Sequence, residues 1–236
     1  MHPDRATIEA NVAAVREHLA RACERSGRDP SSVTLVAAAK TQPLARVTAV
    51  VEAGVACVGH NYVRELRVQH DQVSGARWHY IGVLQTGTAH HVAGLADVVE
   101  TVAGGRATER VARRAAQAGR TVDVLIEVDF TERRTGVTSD QVHAVADAVA
   151  RLDGLRLRGL MTVPPAGRTA DDARPWFRRL RELRDALAQN HADMVDLSMG
   201  MSLDYEAAVE EGATMVRIGT ALFGPRQATG TPHDPA

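Results

Sequence analysis

The sequence predicts a closed (β/α)8 barrel with an extra N-terminal helix, and three observations lead to that prediction. Short apolar runs alternate with longer stretches of helical period from one end of the chain to the other. The 236 residues fall within the range of a single barrel, and no linker divides them. Hydrophobic residues make up 44% of the chain but aromatic residues only 3%, so the core must consist of Ala, Val, Leu and Ile, as in a parallel sheet covered by helices.

The elements follow from this alternation in order along the chain, beginning with a helix at residues 5–26. The eight predicted strands are 33–39, 55–59, 77–82, 97–101, 122–129, 155–160, 194–198 and 214–218. The helices predicted between them include 43–53, 60–74, 105–118, 138–151, 170–190 and 203–211. Right-handed crossovers make closure of these units natural, and an open, doubly wound sheet is the alternative.

The domain prediction is one barrel over residues 1–226, followed by a tail at 227–236 that is rich in Pro, Gly and Thr and expected to be disordered. The 28 basic and 29 acidic residues nearly cancel and form no basic block, so we expect no nucleic-acid binding. No run of roughly eighteen apolar residues occurs, and the first residues are polar, so we expect a cytoplasmic protein without a membrane span.

The remaining composition gives two smaller expectations. Cys23 and Cys57 lie far apart and lack the spacing of a disulfide framework or a metal site, so neither is expected. The sequence shows no obvious apolar surface stripe, so we expect a monomer.

Lys40 is the first candidate for chemistry, because it is the only lysine and the other 27 of the 28 basic residues are arginines. It follows the apolar run 33–39, at the end of the first predicted strand. Arginine serves as a surface cation but keeps its proton and cannot form a Schiff base, whereas lysine can. Burial of a lone cation beside an apolar strand costs free energy and is unexpected unless the residue has a function. A reactive lysine is therefore favoured over a lysine that remained by chance.

Chemically unusual residues fall at the carboxyl ends of the predicted strands, where a barrel of this kind builds its active site. Besides Lys40 they are 59–62, 79–85, Asp129, Met161, 198–202 and 217–220. Because these strand ends meet on one face of the barrel, we expect a single site there.

Two neighbouring loops carry the pattern of a phosphate site. Gly200 and Ser202 precede a predicted helix, and Gly219 and Thr220 open a short terminal helix. Backbone N–H groups and the helix dipole attract phosphate at such ends, and the loops after strands seven and eight are the usual phosphate site of these barrels. Each glycine could instead serve a tight turn and each hydroxyl a helix cap, but two such loops side by side favour phosphate.

A phosphate site facing Lys40 indicates pyridoxal 5'-phosphate held as an imine, or alternatively a class I aldolase that works through Lys40 without a cofactor. Arg217 lies two residues before Gly219, where it could reach the nitrogen of a pyridine ring and keep it unprotonated. The alternative for this residue is an arginine paired with a barrel carboxylate such as Asp129 or Glu127.

Five segments resemble the YggS/PROSC family of pyridoxal phosphate homeostasis proteins, over nearly the whole chain except the tail. They are LVAAAK with the following TQP, GHNYVRE at 59–65, WHYIGVLQT at 78–86, LRLRGLMTVP at 155–164 and LSMGMSLDYEAAVEEGATMVRIGTALFG at 197–224. The resemblance implies a barrel like the alanine racemase N-terminal domain, of pyridoxal-phosphate fold type III, with the cofactor as an internal aldimine on Lys40.

The resemblance also implies which other residues surround the cofactor. Arg217 is expected to face the pyridine nitrogen. The residues expected around the phosphate are Met201, Ser202, Gly219 and Thr220. The residues expected to line the pocket of the ring are Asn61, His79 and Met161, and Ser198 is a further expected member of the site.

The chain departs from the family's pattern at three places, one of which spans two residues. His60 stands where the family usually has Glu, Gly87 and Thr88 stand where it usually has Asn-Lys, and Arg134 replaces a frequent Lys. Lysines near the site are thought of as secondary cofactor contacts or transfer sites in this family. Of the properties that the resemblance implies, delivery of the cofactor to apo pyridoxal-phosphate enzymes is therefore the one that these residues support least.

Two classes of function follow, a non-catalytic pyridoxal-phosphate carrier and an amino-acid racemase of the same fold. Racemisation needs a second acid or base across the substrate from Lys40. In alanine racemases a tyrosine from an added β domain supplies that group, and we expect no such domain here. His60 is the best substitute base, because imidazole titrates near neutrality and the end of the second strand is expected to face the pocket. The tyrosines have packing explanations, so a carrier is favoured; they are Tyr62, Tyr80 and Tyr205.

Overall fold

The computed structural model describes residues 3–131, 135–165 and 167–225, and within these ranges eight parallel strands close into a barrel in chain order. The strands are β1 (Thr34–Ala38), β2 (Cys57–His60), β3 (Arg77–Tyr80), β4 (Val98–Val102), β5 (Val122–Glu127), β6 (Leu155–Met161), β7 (Asp196–Ser198) and β8 (Met215–Ile218). Because β1 pairs with both β2 and β8, the sheet has no edge. The predicted closed barrel and its eight strands are confirmed, and the open sheet is excluded. The predicted tail, 227–236, lies outside the described residues.

Helices alternate with the strands and cover the outside of the barrel. They are α1 (Pro3–Arg25), α2 (Leu44–Glu52), α3 (Val63–His70), α4 (Ala89–Leu95), α5 (Gly105–Gln117), α6 (Val142–Ala150), α7 (Arg174–Ala188), α8 (Tyr205–Glu210) and α9 (Thr220–Phe223). The extra N-terminal helix and the short terminal helix are both confirmed. The sequence analysis missed α4, because its seven residues, AHHVAGL, are too few to show a helical period.

The extra helix α1 packs against α2, α8 and α9. Its apolar stripe recurs every three or four residues and consists of Ile8, Val12, Val15 and Leu19. Burial of each of these side chains contributes about 1.5–3 kcal/mol. Asn11 also donates a hydrogen bond from Nδ2 to the Leu222 carbonyl at 2.9 Å. The first helix is therefore attached directly to α9, which carries Thr220.

Alternation along the strands separates the barrel interior from the layer beneath the helices. Five apolar side chains pack together in the interior, namely Val98, Leu125, Met161, Val163 and Met215. At the end of β3, a Cβ added at Gly82 would fall 1.9 Å from the carbonyl oxygen of Asn61. Only glycine permits the backbone at position 82 to come this close to Asn61. This contact places Asn61 at the mouth of the barrel.

Three further observations concern membrane spans, cysteines and metal ligands. Within the described ranges, no helix has the length and apolar character needed to cross a membrane. Cys23 is buried, Cys57 is half-buried, and both are free thiols. In the same part of the chain, no three His, Cys, Asp or Glu side chains are grouped so that they could hold a metal ion.

Candidate functional site

A cavity of about 630 Å³ opens at the carboxyl ends of the strands, within the size range of small-molecule sites. Its wall includes eight of the ten residues predicted to bind the cofactor, namely Lys40, Asn61, Met161, Met201, Ser202, Arg217, Gly219 and Thr220. Gln42, Thr101 and Glu127 also line the cavity. The structure thus brings the predicted residues of five strand ends together around one space.

Lys40 reaches the cavity because side chains alternate along the strand. Ala38 and Lys40 both line the cavity, whereas Ala39 between them is fully buried in the core. The Lys40 Nζ lies 5.1 Å from the centroid of the Tyr62 ring, within the range of a cation–π contact. Lys40 is only half-buried, so its amine is accessible from the cavity.

The turn after Lys40 is strained, and it is held from outside the barrel. Thr41 has a φ of +62°, which β-branched residues rarely adopt. Its N–H donates to Glu65 Oε2 at 3.2 Å, and the Gln69 Nε2 donates to the Gln42 carbonyl at 2.9 Å. Glu65 and Gln69 are four residues apart on α3. Residues at this spacing share one helix face, so a single face of α3 anchors the turn.

The loops after β7 and β8 meet at one end of the cavity, where the predicted phosphate residues lie together. The Ala221 N–H donates to Ser202 Oγ at 3.1 Å, so this hydroxyl joins the β7 loop to α9. The Met201 N–H donates to Asp204 Oδ1 at 2.7 Å, which fixes the start of the same loop. Ser202 therefore acts as a cap for α9 while also lining the cavity.

The two glycines of these loops have different roles. Gly200 has a φ of +95°, and an added Cβ would fall 2.6 Å from the Ala208 Cβ, so the turn itself requires glycine. Gly219 has a φ of −108°, which any residue can adopt, and an added Cβ would be 3.4 Å or more from Ala38. The backbone conformation at position 219 therefore does not require glycine. What the absence of a side chain provides at this position is space in the cavity.

Arg217 lies at the floor of the cavity and is held from three other strands or their ends. Its Nη1 donates to Ser198 Oγ at 2.6 Å, and its Nη2 donates to the Thr162 carbonyl at 2.8 Å. Nη1 also lies 3.8 Å from Glu100 Oε2. The alternative considered for Arg217 was pairing with a barrel carboxylate. Arg217 does pair with Glu100, and it also lines the cavity.

Glu100 is fully buried in the barrel and connects two of the predicted site residues. Its Oε1 and the His79 Nδ1 are hydrogen-bonded at 2.6 Å, and its Oε2 accepts from Ser198 Oγ at 2.5 Å. Since Ser198 in turn accepts from Arg217, a continuous hydrogen-bonded chain crosses the barrel from His79 to Arg217. We call these four residues, His79, Glu100, Ser198 and Arg217, the floor network.

The charges of the floor network stabilise one another. Burial alone would lower the pKa of His79, but the neighbouring Cys57 thiol and the Glu100 carboxylate raise this pKa to about 9. Burial alone would raise the pKa of Glu100, but its hydrogen bond and charge interaction with His79, together with the Arg217 charge, lower it. At neutral pH, His79 is therefore a cation and Glu100 an anion.

Three sequence-based expectations need correction. His79 and Ser198 do not line the cavity but are joined to Arg217 through the floor network. His60 was expected to face the pocket, but Asn61 lines the cavity and successive side chains alternate, so His60 lies on the outer face of β2. There it is fully buried and stacked on Trp78, with ring centroids 5.8 Å apart.

Glu100 is the principal site residue that the sequence analysis missed. Its signal was present, because Glu100 is the only charged residue in the apolar run 98–102, just as Lys40 is the only cation beside 33–39. The departures at Gly87 and Thr88 lie outside the cavity wall, and Thr88 Oγ1 donates to the Gln85 carbonyl at 3.3 Å. Arg134 lies outside the described residues.

Comparison with known proteins places these features in a family. Residues 4–227 match the family model described as alanine racemase, N-terminal domain. The chain is 36% identical over 218 residues to the pyridoxal phosphate homeostasis protein of Aquifex aeolicus, with 90% of this chain and 96% of that protein covered.

Two solved structures are also similar over nearly their full length. A protein of unknown function from Bifidobacterium adolescentis has a TM-score of 0.87 and 32% identity, with 94% of this chain and 97% of that chain covered. PipY of Synechococcus elongatus, solved with pyridoxal phosphate (PLP) bound, has a TM-score of 0.82 and 30% identity, with 92% and 100% covered.

Proposed function

Because the chain belongs to the YggS/PROSC family of pyridoxal phosphate homeostasis proteins, whose barrel is the alanine racemase N-terminal domain, we propose that it binds PLP covalently on Lys40. The observation that carries the proposal is that the chain's only lysine and the loops of Ser202 and Thr220 line one cavity. The structure of PipY with PLP bound, at 30% identity, supports the same ligand for this chain.

The phosphate end of the cavity offers space and hydrogen-bond donors for a phosphate. Gly219 leaves space, and the hydroxyls of Ser202 and Thr220 lie beside it at the start of α9. Hydroxyls and backbone N–H groups at such a loop are suitable donors for phosphate oxygens. These residues would hold the phosphate, and Met201 would cover it from the rim.

The opposite part of the cavity fits a pyridine ring. Asn61 and Met161 would form the walls beside the ring, and Arg217 would lie against its nitrogen. Hydrogen bonds to Ser198 and to the Thr162 carbonyl fix the guanidinium, so it would reach the ligand in one orientation. Because arginine does not give up its proton, it can only donate to the ring nitrogen and would hold that nitrogen unprotonated.

When bound, PLP supplies an aldehyde that condenses with an amine and a ring that withdraws electrons. Lys40 provides the amine, and Tyr62 shields its approach from one side. An unprotonated ring nitrogen withdraws electrons weakly. The arrangement of Arg217 therefore supports storage of the cofactor more than carbanion chemistry, and we propose a carrier without catalytic turnover.

Of the candidate acid–base groups, Tyr62 lies beside the Lys40 amine, and the positions of the other three support the same conclusion. His60 lies outside the cavity wall, on the outer face of β2. The Tyr80 hydroxyl donates to the Val83 carbonyl at 3.1 Å, and Tyr205 is buried with α8. These groups are thus unsuited to take a proton from a substrate attached at Lys40.

A racemase remains the second candidate because Glu127 is a carboxylate on the cavity wall. The holoprotein should show no exchange of the alanine α-proton with deuterium oxide above the rate of free PLP. The exchange would be followed by proton NMR. Exchange that disappears in both Lys40→Ala and Glu127→Gln would replace the carrier with an enzyme.

The binding proposal is tested by spectroscopy and mass mapping. Purified protein mixed with PLP should develop an absorbance band at about 420 nm, and borohydride should then fix the cofactor on the peptide that contains Lys40. A protein that stays colourless and takes up no PLP would contradict the proposal and return attention to an aldolase acting through Lys40.

Thr220→Val should weaken the retention of PLP. Removal of one hydrogen bond to a charged phosphate costs roughly 1.5–3 kcal/mol, or roughly ten- to hundredfold in Kd. The Kd would be measured by equilibrium dialysis. Thr88→Val is the matched control, because its hydroxyl lies outside the cavity wall. Equal affinity of Thr220→Val and wild type would show that Thr220 does not contact the phosphate.

We further propose that the carrier is a cytoplasmic monomer that delivers PLP to apo enzymes. The two free thiols support a reducing location. The exposed rim residues Val83, Met201 and Leu203 border the cavity, so the cofactor can leave without unfolding of the barrel. Transfer should appear as faster activation of an added apo transaminase by holoprotein than by the PLP that the holoprotein releases in dialysis. Elution as one chain in light scattering would support the monomer.

A further inference from the structure

The buried imidazole of His60 has no role in the site described so far. It is fully buried, and neither ring nitrogen makes a hydrogen bond with the described residues. Its Nδ1 lies 3.6 Å from Glu65 Oε2, which is an ion-pair distance. The His60 ring also stacks on Trp78, so this part of its surroundings is apolar. A buried, unsatisfied imidazole directed at a carboxylate is expensive to keep and calls for an explanation.

Glu65 connects this imidazole to the strained turn beside Lys40. The same Oε2 that faces His60 accepts the N–H of Thr41, the residue with a φ of +62°. Burial alone would raise the pKa of Glu65, but His60, the Thr41 N–H and the charge of Lys40 lower it. The carboxylate is therefore ionised at neutral pH, when it is the stronger acceptor for the Thr41 N–H.

Backbone strain of this kind persists only where the surroundings enforce it. A left-handed conformation is costly for a β-branched residue, and strained residues cluster at functional sites. Here the surroundings are identifiable, because Glu65 holds Thr41 and Gln69 holds the next carbonyl. Release of either contact would let the turn relax toward a right-handed conformation and would redirect Lys40.

We propose that His60 and Glu65 are positioning residues that aim the Lys40 amine into the cavity by holding Thr41 in its strained conformation. Glu65 acts on the turn directly, and His60 acts through Glu65 by keeping its carboxylate in place. Neither residue touches the ligand. The inference rests on the proposed attachment of PLP at Lys40, but the geometry of the turn can be tested without any ligand.

The test uses three single variants of the full chain. Glu65→Leu removes the acceptor, Glu65→Gln keeps an acceptor without the charge, and His60→Phe keeps the stack on Trp78 but removes the ring nitrogens. His18→Phe is the matched control, because His18 Nδ1 also faces a glutamate, Glu206 Oε1 at 3.0 Å, away from the cavity.

Hydrogen exchange of the cofactor-free protein is the first measurement. The Thr41 amide should exchange about tenfold faster in Glu65→Leu and His60→Phe than in wild type, because local opening becomes easier. Glu65→Gln should retain most of the protection. Unchanged exchange in Glu65→Leu would overturn the proposal whether or not PLP binds.

The rate of PLP attachment is the second measurement. Attachment should slow about tenfold in Glu65→Leu and severalfold in His60→Phe, since a misdirected amine reacts less often. Binding of pyridoxine 5'-phosphate, which has no aldehyde, should stay unchanged and so report an intact pocket. In the Glu65→Leu background, His60→Phe should have no further effect, because His60 acts through Glu65.

The outcomes separate the two proposals. A wild-type protein that never attaches PLP contradicts the proposed function but leaves the exchange test valid. Faster exchange with an unchanged attachment rate would mean that the contacts are only structural, and it would overturn the positioning role. Additive effects of His60→Phe and Glu65→Leu would overturn the order in which the two residues act.

Discussion

Lys40→Arg is expected to abolish covalent attachment of PLP while the barrel remains folded. Arginine preserves the positive charge and most of the length of lysine, but its guanidinium does not lose a proton and does not condense with an aldehyde. Because Lys40 is the only lysine, the variant has no ε-amine anywhere in the chain. The absorbance band at about 420 nm should therefore disappear completely. Absorbance titration with PLP and circular dichroism would measure attachment and folding.

The control for this variant adds a lysine elsewhere. Arg64→Lys places an ε-amine on α3, at an exposed position outside the cavity wall. Borohydride should still fix the cofactor on Lys40 in that protein. A band that survives in Lys40→Arg, or a label that moves to position 64, would show that attachment does not depend on the position of Lys40 in the cavity.

Glu100→Leu is expected to have the largest effect on stability. The substitution would leave the His79 cation and Arg217 in the barrel without their shared carboxylate. Removal of one member of a buried ion pair typically costs about 3–5 kcal/mol, because the other charges stay buried and uncompensated. Glu100→Gln should cost less, since the amide can still accept the Ser198 hydroxyl. Urea unfolding followed by circular dichroism would give both free energies.

The same network predicts how stability depends on pH. The pKa of His79 is raised from 6.5 to about 9 in the folded protein, so its contribution is fully present below pH 6.5 and is lost as the pH rises through 9. The lowered pKa of Glu100 acts in the other direction, since its contribution exists above its ordinary pKa of 4.5 and is lost as the pH falls through its folded pKa. Stability should therefore be greatest between these limits.

Comparison of unfolding at pH 7 and pH 9.5 tests this assignment. Wild type should lose stability over this interval, and Glu100→Gln should lose much less, because the His79 pKa returns toward its ordinary value. Asp71→Asn is the control, since the His70–Asp71 pair is largely exposed and should not affect the alkaline loss. Equal alkaline losses in wild type and Glu100→Gln would contradict the role of the floor network.

The fold was predictable from sequence because strand and helix periods alternate regularly along the chain. All eight strands were found, since runs such as 122–129 have an apolar β-branched residue at every second position, whereas the seven residues of α4 were too short to show a period. The position of Lys40 was predictable for a related reason, because an isolated cation beside an apolar strand is conspicuous in a chain with so few lysines.

The errors at the site have one physical origin, which is the facing of side chains at strand ends. His60 and Asn61 are neighbours in sequence, but one lies under α3 and the other lines the cavity. A register error of one residue exchanges the two, and sequence alone does not fix the register. The depth of His79 was likewise unpredictable, because it depends on Glu100, which comes from the adjacent strand and is distant in sequence.

The eight strands are unequally joined, and the shortest register is the one between β7 and β8. β8 pairs with β1 from Thr34–Met215 to Ala37–Ile218, but its register with β7 has the single pair Ser198–Met215, with backbone hydrogen bonds continuing to Arg217–Gly200. The loops that follow β7 and β8 carry Ser202 and Thr220, on either side of this joint. A phosphate held by both loops would add a link between β7 and β8. Binding of the cofactor would then tie the two strands together, so the loaded protein should resist proteolysis first of all between β7 and β8.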